Sequence, residues 1–145
     1  MIHIKTRLGS LAVLAAVVGV VAFGTAQAFA SSAPIVITYA KTCDQGGHCL
    51  GTAGNGGTFE MQVTSFRSTG AAAQMTATES ITVGAISFTA EMSGHATPDG
   101  FVVLNGTVTK GSFAGAQVHQ RSNLVGGNAT TTAWTGELQL VPASA

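Results

Sequence analysis

Over much of the chain beyond residue 33, every second position is apolar. Phe59, Met61 and Val63 share one face while Glu60, Gln62 and Thr64 take the other. Ile86, Phe88, Ala90 and Met92 likewise oppose Ser87, Thr89, Glu91 and Ser93. Near the end, Trp134, Gly136, Leu138 and Leu140 oppose Thr135, Glu137 and Gln139. Period two with a polar second face is the pattern of a half-buried antiparallel strand. Residues 34–39, 72–81 and 101–109 add strand-like stretches rich in β-branched or small side chains, with Gly106 placed where a bend or bulge is expected. Between them lie turn signals. Pro98-Asp99-Gly100 combines a fixed φ with a residue that accepts positive φ. Lys110-Gly111 and Gly126-Gly127-Asn128 read as the next two turns, and residues 51–57 as a flexible glycine tract.

About seven or eight strands at this spacing predict an all-β domain, an antiparallel barrel or, alternatively, a β-sandwich. The immunoglobulin version of a sandwich would place a Trp between two distant cysteines. Here Cys43 and Cys49 are local and Trp134 lies near the C-terminus. Closure into a barrel also removes the edges that a lightly charged sheet would leave exposed. The barrel is the expectation.

The first thirty residues do not fit this pattern. Lys5 and Arg7 precede an unbroken apolar run over residues 11–23, followed by the small-residue stretch Gly24-Thr25-Ala26-Gln27-Ala28-Phe29-Ala30. A basic start, a short apolar run and a small-x-small site make a secretory signal peptide over residues 1–30, cut after Ala28 or Ala30. The run is short of the roughly 20 residues a membrane span needs, so no stable anchor is expected after processing. Residues 31–145 then form a single secreted domain of roughly 115 residues with one core. The Ala- and Gly-rich leader points to a bacterial source.

Cleavage changes the charge. Lys41, Arg67, Lys110 and Arg121 remain against Asp44, Glu60, Glu79, Glu91, Asp99 and Glu137, a net charge of about −2 with no basic cluster. Nucleic acid is thereby excluded as a partner class. The two cysteines, exported together, are expected to form one disulfide. A zinc site would use Cys43, His48 and Cys49, but structural zinc takes ligands from two separated clusters, and adjacent His48 and Cys49 cannot easily face one ion. No metal or other cofactor is expected.

The stretch Phe101-Val102-Val103-Leu104-Asn105-Gly106-Thr107-Val108-Thr109-Lys110-Gly111-Ser112-Phe113-Ala114-Gly115-Ala116 resembles the G-x-V-x-G-G-T-G-x-F-A-G-A segment of allene oxide cyclase and dirigent-like barrels, including secreted bacterial relatives. Gly106-Thr107-Val108-Thr109 and Phe113-Ala114-Gly115-Ala116 carry the likeness. The family's Gly-Thr-Gly turn is replaced by Lys110-Gly111-Ser112. The resemblance implies an eight-stranded barrel with an interior pocket and a tendency to self-associate. It carries over no activity, because no catalytic residue of the family matches a position here.

Candidate chemistry is sparse. Gln117, His119 and Arg121 alternate along one strand face, which either meets solvent or lines a barrel mouth where His and Arg would hold an anionic or hydroxylated ligand. His95 belongs to a surface loop. Glu60, Glu79, Glu91 and Glu137 are placed on outward faces, where they keep the domain soluble instead of forming an acid–base pair. No G-x-S-x-G elbow is present, and no catalytic residue is identified. Asn105-Gly106-Thr107 and Asn128-Ala129-Thr130 match the glycosylation acceptor pattern.

The function expected from these residues is non-catalytic binding of a small molecule, or of an extracellular protein or glycan. Two alternatives stand beside it: a dirigent- or cyclase-like barrel that guides a reactive small molecule, and a secreted hydrolase inhibitor presenting the Cys43–Cys49 loop. Self-association would cover a lightly charged β surface.

Overall fold

The computed structural model describes residues 33–144; the expected signal peptide and its cleavage site lie outside them. Eight antiparallel strands, each bonded to its sequence neighbours, close into a barrel. They are β1 (Ile35–Asp44), β2 (His48–Ala53), β3 (Gly57–Ser68), β4 (Ala73–Val83), β5 (Ile86–Ala96), β6 (Phe101–Gly111), β7 (Gln117–Gly127) and β8 (Thr131–Val141). The ring is shut by β1 against β8, from Ile35 opposite Leu140 to Asp44 opposite Thr131. The sandwich alternative is not realised, because no sheet edge is left open.

Alternation decides what points inward. The inner faces of β3, β5 and β8 carry the residues the sequence pattern assigns to them: Phe59 and Met61, Phe88, Ala90 and Met92, Leu138 and Leu140, all buried. The end of the barrel at which the chain enters and leaves is packed solid by Ile37, Phe59, Ile81, Phe88, Val108 and Leu140. Each such side chain contributes about 1.5–3 kcal/mol by leaving water. An eight-stranded barrel is just wide enough for side chains to fill it or for one small ligand to enter. This one is filled by side chains at the end where the chain enters and leaves, and holds a cavity at the other.

The local details depart from the sequence reading at several points. Residues 51–57 are not a flexible tract: β2 continues to Ala53, a tight turn follows, and β3 begins at Gly57. Gly51 is glycine because a Cβ there would collide with the carbonyl of Ala40 on β1. At Lys110-Gly111 the strand continues, and the reversal falls at residues 112–115, with Phe113 at a φ of 60°. Gly106 makes no bulge. It pairs in register with Met92 and Val118, and a Cβ would run into Met92 Sδ and the Glu91 carbonyl. The register shifts lie between Val63 and Ser65, Thr89 and Ala90, and Leu124 and Gly126. Two of the three are near the open end, where bulges commonly shape a barrel rim.

The largest correction concerns Glu79. Glu60, Glu91 and Glu137 face solvent as expected, but Glu79 is fully buried. The alternation of β4 runs Met75, Ala77, Glu79, Ile81, and all four face the interior. Register therefore forces the carboxylate inward whatever its solvation cost.

Candidate functional site

The open end of the barrel holds a cavity of ≈ 580 Å³. It lies among the connections that follow β1, β3, β5 and β7, and its walls include Cys49, Met61, Val63, Phe66, Met75 and Trp134. Polar groups enter this apolar surface at its depth, where Lys41 and Ser122 are both buried. Their positions follow from period two. Ile37, Tyr39, Lys41 and Cys43 share the inner face of β1, as Val118, Gln120 and Ser122 share that of β7.

Lys41 is 5% exposed and has an unusual set of neighbours. Its ammonium stands 4.9 Å from the centre of the Phe59 ring and 5.4 Å from that of Tyr39, and these two rings are themselves stacked at 4.7 Å. Both contacts are within cation–π range. Its one hydrogen-bond acceptor among the described residues is Met61 Sδ at 3.6 Å, a weak one. Among the described residues no carboxylate oxygen lies within ion-pair distance of it, and the one ion pair is His48 with Glu60, at 3.0 Å on the outer surface. Burial therefore pulls the Lys41 pKa down to about 8, opposed by the charge of Glu79.

Beneath this floor lies a second polar layer. Tyr39 Oη donates to the Arg121 carbonyl at 3.1 Å and is hydrogen bonded to Ser122 Oγ. The phenol reaches Ser122 by passing over Gly136, where a Cβ would collide with it. Burial pushes the Tyr39 pKa up to about 12, opposed by the Ser122 bond. Glu79 and Gln120 are the other members, and their terminal oxygens and nitrogen have no hydrogen-bond partner among the described residues. Glu79 is pushed up to about 7 by desolvation, against the opposing influence of Lys41 and the nearby Gln120 amide. The interior therefore contains an acid and an amine with converging pKa values, near each other but not paired.

Gln117, His119 and Arg121 project from the outer face of β7, exposed, while Val118, Gln120 and Ser122 of the same strand point inward. His119 and Arg121 border a shallow outer groove of ≈ 180 Å³ with Asn105, Glu137 and Gln139, and His119 Nδ1 is hydrogen bonded to Asn105 Oδ1 at 2.7 Å. Gln117 is not part of that groove. None of the three borders the large cavity.

The Cys43–Cys49 disulfide forms, and it bridges directly opposed residues of β1 and β2 at the cavity wall. The turn it flanks is pinned: Gln45 Nε2 donates to the Ala129 carbonyl at 2.7 Å, Gln62 Nε2 to that of Gly46 at 3.1 Å, and the His48 amide to Asp44 Oδ1 at 3.0 Å. No group of three or more potential metal ligands occurs among the described residues.

Sequence reasoning missed Lys41, Glu79, Gln120 and Ser122. The signal was nonetheless present, since Lys41, Glu79 and Gln120 each stand two residues from a buried apolar neighbour and Ser122 continues the same alternation beyond Gln120. No protein-family model, curated protein or solved structure matches the chain.

Proposed function

We propose that this protein is a secreted, non-catalytic barrel that binds a small molecule with an apolar body and a single hydrogen-bond-accepting head. One observation carries the reading. A buried ammonium at the depth of an apolar-walled cavity has three donors and only a thioether sulfur to receive them. Buried polar groups are normally satisfied, and a ligand oxygen reaching Lys41 would satisfy this one. The cavity falls within the size range of small-molecule sites. Export fits a disulfide-containing domain.

Trp134 is the only tryptophan in the chain and borders the cavity, so its fluorescence reports occupancy. Titration with octanoate, octanol and octylamine tests the reading. Octanoate should bind at least about tenfold more tightly than octylamine, the range expected for a hydrogen bond to a charged group. That preference should vanish in Lys41→Met. Equal binding of octanoate and octylamine, or no Trp134 response to any of them, refutes the proposal.

A second reading, a barrel that guides a reactive small molecule, is favoured by the residue 101–116 resemblance together with the buried acid Glu79. Turnover of a ligand identified by the titration would distinguish it from simple binding.

A further inference from the structure

We propose that Lys41 is a covalent anchor, capturing an aldehyde that enters the cavity as an imine on its Nζ. This deepens the binding reading and rests on it, because the same cavity must first admit the apolar body. The geometry is that of an amine nucleophile. Lys41 is buried at the depth of a cavity that opens to solvent, its Nζ is packed against two aromatic faces and a thioether, and no carboxylate holds it in an ion pair. Lysines desolvated in apolar pockets are those that form Schiff bases with carbonyl substrates. The charged groups facing Lys41 from the surrounding strands do not restore an ordinary ammonium: Glu79 of β4 lies beyond ion-pair distance and offsets only part of the effect of burial, and Tyr39 of β1 stays a neutral phenol. With its pKa lowered to about 8, Lys41 is a free amine in about half the molecules at pH 8.

The step balances without an added oxidant or reductant. The Nζ lone pair attacks the carbonyl carbon, and the carbonyl π pair moves onto oxygen, giving a carbinolamine after proton transfer from nitrogen. The hydroxyl then leaves with a proton as water, and the nitrogen lone pair closes the C=N bond. One amine and one aldehyde give one imine and one water. The aldehyde's apolar chain replaces water against Met61, Met75 and Trp134, which protects the imine from hydrolysis.

The chain provides its own control, since Lys110 is the other lysine among the described residues and is exposed. Octanal is added to the mature protein, the imine is trapped with cyanoborohydride, and the adduct, the mass of the aldehyde less one oxygen, is located by peptide mass spectrometry. Trp134 fluorescence is followed in parallel. At pH 8 Lys41 should be modified at least about tenfold faster than Lys110, and octanoate should suppress the modification at Lys41 while leaving that at Lys110. Lys41→Arg, which keeps the cation and removes the nucleophile, should give no adduct in β1, whereas Lys110→Arg, at a position outside the cavity, should leave both the Lys41 adduct and the Trp134 response unchanged. If octanal alters Trp134 fluorescence while Lys41 stays unmodified, or if Lys110 reacts as fast, the covalent inference is overturned and the binding reading survives. If neither octanal nor octanoate alters Trp134 fluorescence, both fall.

Discussion

Glu79→Gln removes the buried acid while keeping its shape, and the structure predicts that the benefit depends on pH. In the unfolded chain Glu79 titrates near 4.5, and in the barrel burial raises that to about 7. Between those values the folded protein holds a proton that the unfolded chain has released, so stability falls as pH rises. The loss is absent below about pH 4.5, accrues through pH 7 and is complete above it. At 1.36 kcal/mol per pKa unit its ceiling is on the order of 3 kcal/mol. Part is returned, because Glu79 also helps to keep Lys41 charged, and the variant loses that help. The expected outcome is that Glu79→Gln gains about 1–2 kcal/mol on the wild-type protein between pH 4.5 and pH 7.5. Urea unfolding of both proteins at pH 4.5, 6.0 and 7.5 measures this directly, with m-values checked for constancy. Parallel pH profiles for the two proteins, or a gain in wild-type stability over this interval that the variant lacks, would show that the acid is not held as described.

Gly136→Ala should destabilise by more than about 2 kcal/mol, because the added methyl meets both the Arg121 carbonyl and the Tyr39 phenol; loss of the near-ultraviolet tyrosine circular dichroism would accompany the lower urea midpoint, and a wild-type midpoint would disprove the close approach. Replacing Cys43 and Cys49 together with serine should cost about 2 kcal/mol, since the ring they close is short; as the pair also walls the cavity, octanoate affinity should fall with it, measured through Trp134.

The fold was legible where alternation is undiluted. Phe59-x-Met61, Phe88-x-Ala90-x-Met92 and Leu138-x-Leu140 specify an inner face by themselves, and the closely spaced cysteines specify their own bridge. The site was less legible, for a physical reason. Expecting charged groups to face water is sound on average, and it places Glu79 outside. Register is a stronger constraint than the preference of one residue, because a slip by one position would turn Met75, Ala77 and Ile81 outward together. Lys41 follows Ile37 and Tyr39 inward for the same reason. For Gln117, His119 and Arg121 the alternation left two placements open, a solvent face or a barrel mouth, and the structure puts all three on the outer face of β7. The turn expected at Lys110-Gly111 falls later because Gly111 still belongs to β6 and serves close approach to the Ser87 carbonyl; Gly51, read as part of a flexible tract, and Gly106, read as a bend or bulge, are likewise places of close backbone approach.

Because an even number of strands closes the ring, residues 33 and 144 leave the barrel at the same end, beside the Ile35–Leu140 pair, and the cavity opens at the other. A tether joined to the barrel at residue 33 or residue 144, whether a purification tag, a surface linkage or a fused domain, therefore meets the filled base and leaves the mouth directed away from the support. The barrel can be immobilised through either position and still present its cavity to the medium, and two barrels joined tail to tail would present two mouths facing opposite ways.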